Sequence, residues 1–465
     1  MHAVREPPFK RVFIANRGEI AVRIVKACQS LGIESVVAVS MADRDSLAAQ
    51  LATRAVCIGP AAASLSYLQP GALIMAALGT GCEALHPGYG FLSERASFSR
   101  LCGESGLVFI GPSPQAIESM GDKLTAVRLA DAAHVPRVPG SDRVASKADA
   151  EAQAQRIGYP FLFKASAGGG GRGMRLVRHS TELGPAMESA TAEAQAAFGD
   201  STLYMEKYIE SARHIEIQIL ADSHGNVIHL GERDCSTQRR HQKLIEEAPS
   251  PFIPEHVRQT LSQAAVRLAQ RVDYRGAGTV EFIYDELTEK AYFLEMNTRI
   301  QVEHPVTEMV TGRDLVAEQI RIAAGAAISF SQDDVKVSGH AIECRVNAED
   351  PERNFAPGPG RLVEWRQPAG DGVRVDSHCF PGYLVPPYYD SLLAKVIVHG
   401  VDRNAAIRKM IAALEQFVVT GVPTTIGFHH DVMSHEDFRT GRVNTSWVEG
   451  KFLAAAESAS KRMKA

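Results

Sequence analysis

The chain of 465 residues is longer than one hydrophobic core usually organises, and an apolar content of 45% is ample for two or three domains. With 50 Lys and Arg against 54 Asp and Glu, the formal net charge of -4 argues against a nucleic-acid or anionic-membrane surface. Seven scattered cysteines without a Cys-x-x-Cys pair argue against a disulfide framework or zinc cluster; no apolar signal core opens the chain and no run of roughly 18 apolar residues occurs, so a soluble cytoplasmic protein is expected.

Val12 to Ala15 is a short apolar run ending at Asn16-Arg17-Gly18-Glu19. A helical pattern through Ile20, Ile24, Ala27 and Leu31 stops at Gly32, and Ser35 to Val39 reads as a second strand, which is the spacing of a parallel α/β unit. Gly18 is the sole glycine of that turn, so the dinucleotide fingerprint is absent and a nicotinamide cofactor is rejected. His86-Pro87-Gly88-Tyr89-Gly90-Phe91 reads as a tight turn after a strand, and Val108 to Gly111 as the strand that closes a first domain near Pro112 to Pro114.

A helix over Leu124 to Ala133 is followed by a linker-like stretch, Val135 to Gly140. The strand Phe161 to Ala165 carries Lys164 and runs into Gly168-Gly169-Gly170-Gly171-Arg172-Gly173, after which Met174 to Val177 returns as a hairpin. Four consecutive glycines cannot form a stable helix or strand interior, and their bare amides can close over an anion. No Gly-Lys-Ser/Thr and helix follow, so this is a hairpin lid and not a Walker loop. Leu203 to Ile209 and Arg213 to Ile219 read as strands, and Arg233 to Lys243 is the densest polar run; Arg239 and Arg240 suit a solvated basic loop, Lys243 less so, because Leu244 and Ile245 follow at once.

Glu255 to Arg271 is an amphipathic helix. Gly278 to Tyr284 and Ala291 to Glu295 then read as two strands around a polar turn, and pairing them brings Glu281 and Glu295 onto one face. Neighbouring carboxylates repel unless a cation sits between them or one takes a proton, and with Asn297 the set suits Mg²⁺ better than zinc. A glycosidase acid–base pair is the alternative, against which the glycine lid argues. From Glu295 to His304 the polar residues Glu295, Asn297, Arg299, Gln301 and Glu303 alternate with Met296, Thr298, Ile300 and Val302. A straight strand would spread them over ~26 Å at ~3.3 Å per residue, so the chain is expected to leave the strand near Asn297 and curl. Beyond Gly339, Ala341, Glu343, Arg345 and Asn347 share one strand face. Pro/Gly turns follow at Phe355 to Gly360 and Pro381 to Pro387, then a strand over Asp390 to Gly400 with Lys395, a helix over Asn404 to Phe417, and a tail expected to fray after Leu453.

Five stretches in this order, Ala15 to Ala21, His86 to Glu94, Lys164-Ala165-Ser166 with the glycine run, Arg239 to Lys243 and Glu295 to Thr307, resemble the biotin carboxylases of the ATP-grasp superfamily. The resemblance runs from about Phe9 to about Gly450. It implies an α/β protein with an N-terminal parallel α/β domain over 1–118, an ATP-grasp domain over 119–335 with its lid roughly at 136–208, a mixed α+β C-terminal domain over 336–450, and a frayed tail over 451–465. It also implies that Lys123, Lys164 and His214 meet the ATP phosphates under the lid of Gly168, Gly169, Gly170 and Gly171, that Glu206, Lys207, Tyr208 and Ile209 present the edge that reads adenine, and that Gln238 and His241 add polar contacts. Glu281, Glu295 and Asn297 would hold Mg²⁺ or Mn²⁺; Lys243, Arg299, Gln301 and the Val302 amide would bind bicarbonate.

The same resemblance makes Glu303 the general base that removes the bicarbonate proton, the product carboxyphosphate, and Arg345 the cation that stabilises the biotin enolate. The sequence departs from the family pattern at Ala167, where many relatives have a fifth glycine, and at Thr424-Thr425, where Thr-Asn is usual. No biotinyl-lysine motif occurs, so biotin is expected on a separate carrier protein, with carboxyltransferase chains and a second copy of this chain as further partners. Two alternatives stand beside this expectation: another ATP-grasp ligase making an acyl phosphate, and a non-catalytic nucleotide-binding protein.

Overall fold

The structure, a computed structural model, describes residues 9–166 and 174–455. The glycine lid, Gly168 to Gly171 with Arg172 and Gly173, lies outside the described residues. The first sheet contains β1 (Arg11–Ile14), β2 (Glu34–Ser40), β3 (Arg54–Gly59), β4 (Ala84–His86) and β5 (Val108–Phe109), all parallel in the order β3-β2-β1-β4-β5. Val12, Phe13 and Ile14 are fully buried, as a parallel strand covered on both faces requires. The helix α1 (Gly18–Ser30) follows β1 through Gly18 at φ +67°. The loop after β4 does more than turn the chain. Asn16 donates from Nδ2 to the Pro87 and Tyr89 carbonyls, each at 2.7 Å, and Gly88 at φ +63° is required because a Cβ there would stand 2.8 Å from that amide.

A smaller antiparallel sheet follows, made of β6 (Gly140–Arg143), β7 (Phe161–Ala165), β8 (Arg175–Val177) and β9 (Leu203–Lys207) in the order β6-β9-β7-β8. Phe161 and Phe163 alternate with Leu162 and Lys164. The phenyl rings pack at 5.3 Å into a core with Ala150, Ala154, Ala190 and Ala194 from two covering helices, which turns Lys164 to the open face.

The central sheet is built from β10 (Ala212–Ala221), β11 (Val227–Arg239), β12 (Gln242–Ala248), β13 (Gly276–Asp285), β14 (Lys290–Asn297) and β15 (His340–Asn347), with the strands Leu392–Gly400 and Val373–Ser377 beyond β15. The order is β14-β13-β10-β11-β12-β15 and then those two, every neighbouring pair antiparallel. β12 pairs with β15, so one continuous sheet spans the boundary expected between residues 335 and 336. On β10, Ile215, Ile217 and Ile219 pack with Leu261, Ala265 and Leu268 of the helix Glu255–Arg271. Period two therefore sends His214, Glu216 and Gln218 to the other face.

Three further expectations can be set against the structure, and the last of them is met. The polar run Arg233 to Lys243 is not a loop but the end of β11, a two-residue turn at Arg240 and His241 with φ +48° and +63°, and the start of β12. Arg239 is buried there, its guanidinium 4.4 Å over the Phe355 ring, whereas the Arg240 side chain is 62% exposed. Of the tail expected to fray after Leu453, residues 456–465 lie outside the described residues; those through 455 are helical and the Phe452 ring packs 5.1 Å from Trp447. The curl after Asn297 does occur. β14 ends there, Ile300 is drawn into the apolar cluster of Ile14, Ile20 and Leu315, and a helix begins at His304 with Pro305 in its first turn.

Candidate active site

The open faces of the small and central sheets enclose a cleft of about 1580 Å³. Lys123, at the start of the helix Lys123–Ala132, lines one wall with Lys164, Glu206, Lys207, Tyr208 and Ile209. Burial, then the neighbouring Lys164 ammonium, lowers the Lys123 pKa, so two cations already repel each other where an anion would separate them. Lys164 itself pairs with Glu206. Gln238 and His241 line the same cleft from the β11–β12 turn, but the four glycines assigned to the phosphates fall outside the described residues.

The opposite wall is a network centred on Lys243. Its ammonium donates to Glu216 Oε2 at 2.6 Å, Glu281 Oε1 at 2.8 Å and Glu303 Oε1 at 2.7 Å. Burial alone would strip its proton, but those three carboxylates push its pKa well above the ordinary lysine value. Glu303 Oε2 accepts from Arg345 Nη2 at 2.9 Å. Burial would raise the Glu303 pKa; Lys243, Arg345 and Arg233 outweigh it and hold the carboxyl well below the usual carboxylate range. Arg345 in turn donates from Nε to Glu246 Oε1 at 2.6 Å.

Glu281 and Glu295 face each other directly in the β13–β14 register. Glu281 accepts at Oε1 from Asn297 Nδ2 at 2.8 Å and Gln301 Nε2 at 2.7 Å, and its Oε2 lies 2.9 Å from His214 Nε2. Burial opposes its ionisation, yet Lys243 and His214 depress its pKa well below 4.5. Glu295 opens onto the cleft without an ion pair of its own among the described residues. Desolvation within the cleft, then the charge of Glu281, raises its pKa. Two carboxylates side by side, one of them anionic and the other under-neutralised, with only oxygen ligands added by Asn297, fit a hard divalent cation such as Mg²⁺. Two other groupings, His214 with Glu216 and Glu281, and Glu216 with Cys235 and Glu303, are close enough to share an ion, but the Lys243 ammonium already stands among their carboxylates.

Arg299 reaches the network from the curl, donating from Nε to Glu94 Oε2 at 2.8 Å and from Nη2 to Asn297 Oδ1 at 3.0 Å. Gln301 Oε1 accepts from Arg233 Nη2 at 2.8 Å, and the Val302 carbonyl accepts from Lys395 Nζ at 2.8 Å. The structure thus joins Lys243, Glu281, Asn297, Arg299, Gln301, Glu303 and Arg345 in one network, with Val302 lining the same cleft but bonded only to Lys395. Sequence reasoning missed its supports. Arg233 is fully buried and donates from Nε to Glu216 Oε1 at 2.5 Å and from Nη1 to Gln218 Oε1 at 2.7 Å and Thr307 Oγ1 at 2.9 Å; Glu94 fixes Arg299, and Lys395 also pairs with Glu19 at 3.0 Å. The signal available was the polar face of β10, but alternation cannot say what covers it.

Family models match most of the chain: the biotin carboxylase N-terminal domain at residues 8–117, the carbamoyl-phosphate synthase L chain ATP-binding domain at 122–330 and the biotin carboxylase C-terminal domain at 343–450. The chain is 54% identical to a biotin carboxylase of Nostoc sp. over 95% of its own length and 99% of the relative's. It is 51% identical to a pyruvate carboxylase subunit of Methanothermobacter thermautotrophicus, covering 95% and 90%. Among solved structures, the biotin carboxylase domain dimer of the Hydrogenobacter thermophilus 2-oxoglutarate carboxylase, in complex with MgADP, ADP and bicarbonate, is similar with a TM-score of 0.90 at 48% identity, over 95% of this chain and 97% of that one.

Proposed function

The chain belongs to the biotin carboxylase family, and from that premise we propose how its own residues divide the work. It is an enzyme that carboxylates biotin using ATP and bicarbonate, with Mg²⁺ as the metal. The observation that carries the residue assignment is Glu303, whose carboxylate is shared between Lys243 and Arg345. In our reading Lys123, Lys164 and His214 meet the ATP phosphates, which would draw Lys164 off Glu206. The segment Glu206 to Ile209 offers backbone groups to adenine, and Gln238 and His241 add polar contacts. Glu281, Glu295 and Asn297 hold Mg²⁺, which when bound offsets charge on the phosphate oxygens.

Bicarbonate fits among Lys243, Arg299, Gln301 and the Val302 amide, where cationic and neutral donors converge on a small volume. Its charge competes with Glu303 for Lys243, so the base recovers proton affinity when its substrate is present. Glu303 takes the bicarbonate proton as the bicarbonate oxygen bonds to the γ-phosphorus and the bond to the ADP oxygen breaks, giving carboxyphosphate. Carboxyphosphate then breaks down to CO₂ and phosphate, the phosphate takes the proton from the biotin ureido nitrogen, that nitrogen bonds to CO₂, and Arg345 faces the negative charge that develops meanwhile on the ureido oxygen.

We further propose that biotin arrives on a carrier protein and leaves carboxylated for a carboxyltransferase, with an acyl-CoA as the final acceptor. Relatives named for pyruvate and 2-oxoglutarate carboxylases at similar identity support a choice of acceptor made away from this site. A homodimer is proposed, as is a division into domains over 1–118, 119–335 and 336–450, supported by the three family matches. No helix among the described residues is long and apolar enough to cross a membrane, and the seven cysteines are free, which fits the reducing cytoplasm we propose. The test is ATP cleavage by the purified protein with Mg²⁺. Bicarbonate and free biotin together should stimulate it, and cleavage indifferent to both would overturn the reading.

A further inference from the structure

Behind Arg345 the central sheet holds two carboxylates that the reaction as proposed leaves unused. Glu246 on β12 and Glu343 on β15 are direct partners in the antiparallel register, so their side chains rise from the same face with Cβ atoms ~4.5–5.5 Å apart. Both are 0% exposed. Arg345 holds Glu246 Oε1 through Nε at 2.6 Å and Nη2 at 2.5 Å, but Glu246 Oε2 and both oxygens of Glu343 have no partner among the described residues. A buried carboxylate without a donor is costly, and a protonated carboxyl beside a carboxylate removes the cost for both.

Burial disfavours ionised Glu343; Lys395 and Arg345 oppose this from a distance, but neither makes a hydrogen bond or ion pair with it among the described residues. Lys395, on the strand Leu392–Gly400, is committed to Glu19 Oε1 at 3.0 Å and the Val302 carbonyl at 2.8 Å, with Asp376 of Val373–Ser377 at 3.9 Å. From the curl and the helix that follows it, Glu303 adds further negative charge, and burial pushes the pKa of His304 well below 6.5, leaving it uncharged. Cys344 points to the opposite face, and its thiol is pushed up by burial. Arg345, on the same strand, faces Glu246 and Glu303.

We infer that Glu343 is a positioning residue that keeps a buried proton and donates it to Glu246 Oε2, so that Glu246 remains an anion clamped on Arg345. The proton belongs on Glu343 because a hydrogen bond from Arg345 Nε and the ion pair with Nη2 stabilise the Glu246 anion, whereas no donor among the described residues reaches Glu343. Burial raises the pKa of both, but Arg345 works against it at Glu246 through a direct hydrogen bond, which Glu343 lacks. Ionisation of Glu343 at high pH would place a second negative charge beside Glu246 and pull Arg345 away from biotin. This inference rests on the reading of Arg345 as the cation that faces biotin.

The test separates the two readings. Infrared difference spectra of wild type and Glu343→Gln at neutral pH should show a protonated-carboxyl C=O stretch that the variant lacks, whatever Arg345 does. In free-biotin assays, Glu343→Gln cannot ionise and should move the alkaline decline of kcat/KM for biotin to higher pH, whereas Glu343→Asp should retain a decline. Glu343→Leu, with no donor for Glu246, should raise the KM for biotin roughly tenfold and that for ATP much less. The assignment is overturned if the band survives in Glu343→Gln and vanishes in Glu246→Gln, or if no such band exists. With the band present and the alkaline decline unchanged in Glu343→Gln, the proton stands but its link to Arg345 fails.

Discussion

Glu303 and Arg345 are joined by an ion pair of 2.9 Å within the cleft, so the base proposed for bicarbonate is held by the cation proposed for biotin. Without substrates Glu303 is therefore a poor base, and its proton affinity depends on what else occupies Lys243 and Arg345. Substitutions at the two ends of this pair should have separable effects.

Glu303→Gln keeps the shape and loses the base. Bicarbonate-dependent ATP cleavage should fall by about 10²–10⁴, the usual range for a general base, while nucleotide affinity measured by calorimetry stays close to wild type. Equal loss of both would make Glu303 structural.

Arg345→Ala removes the charge that faces biotin and leaves Glu246 and Glu303 without their guanidinium. Biotin carboxylation should fall more than ATP cleavage driven by bicarbonate alone. Arg345→Lys should recover only part of it, since one ammonium cannot reproduce the fork that holds both carboxylates. Parallel losses in the two assays would remove the biotin role.

Glu295 differs from Glu281 in having no ion pair among the described residues, which makes it the cleaner probe of the metal. Glu295→Gln should raise the Mg²⁺ concentration for half-maximal activity by roughly tenfold or more while the fold, followed by circular dichroism, is unchanged. An unchanged Mg²⁺ requirement would remove Glu295 from the metal site.

Away from the cleft, Glu247 is held by Arg403 Nε at 2.6 Å and lies 2.7 Å from His340 Nε2. Burial would raise its pKa, but Arg403 and His340 lower it from 4.5 to about 2. A depressed folded pKa gives stability that is present above the unfolded value and lost as pH falls through the folded one. Denaturant unfolding should therefore show wild type exceeding Glu247→Gln by about 3 kcal/mol near neutrality, the gap closing between pH 4.5 and 2. A gap that persists at pH 2 would show that the difference is not ionic.

The sequence by itself determined the local geometry. Pairing two strand-like runs as a hairpin brought Glu281 and Glu295 onto one face, the impossibility of stretching five polar residues along one strand located the turn after Asn297, and Lys164 fell on a strand leading into the glycine run. These follow from the two-residue period of a strand and from chain length, which act between near neighbours. Only the tertiary structure decided which polar faces were buried and what met them there. Arg233, Glu216, Glu246, Glu343 and Lys395 come from separate strands, and their charges have meaning only where the strands meet in a low-dielectric interior. The same side chains on an exposed sheet would be solvated and independent. Buried together, they set the proton affinity of Glu303 and the aim of Arg345.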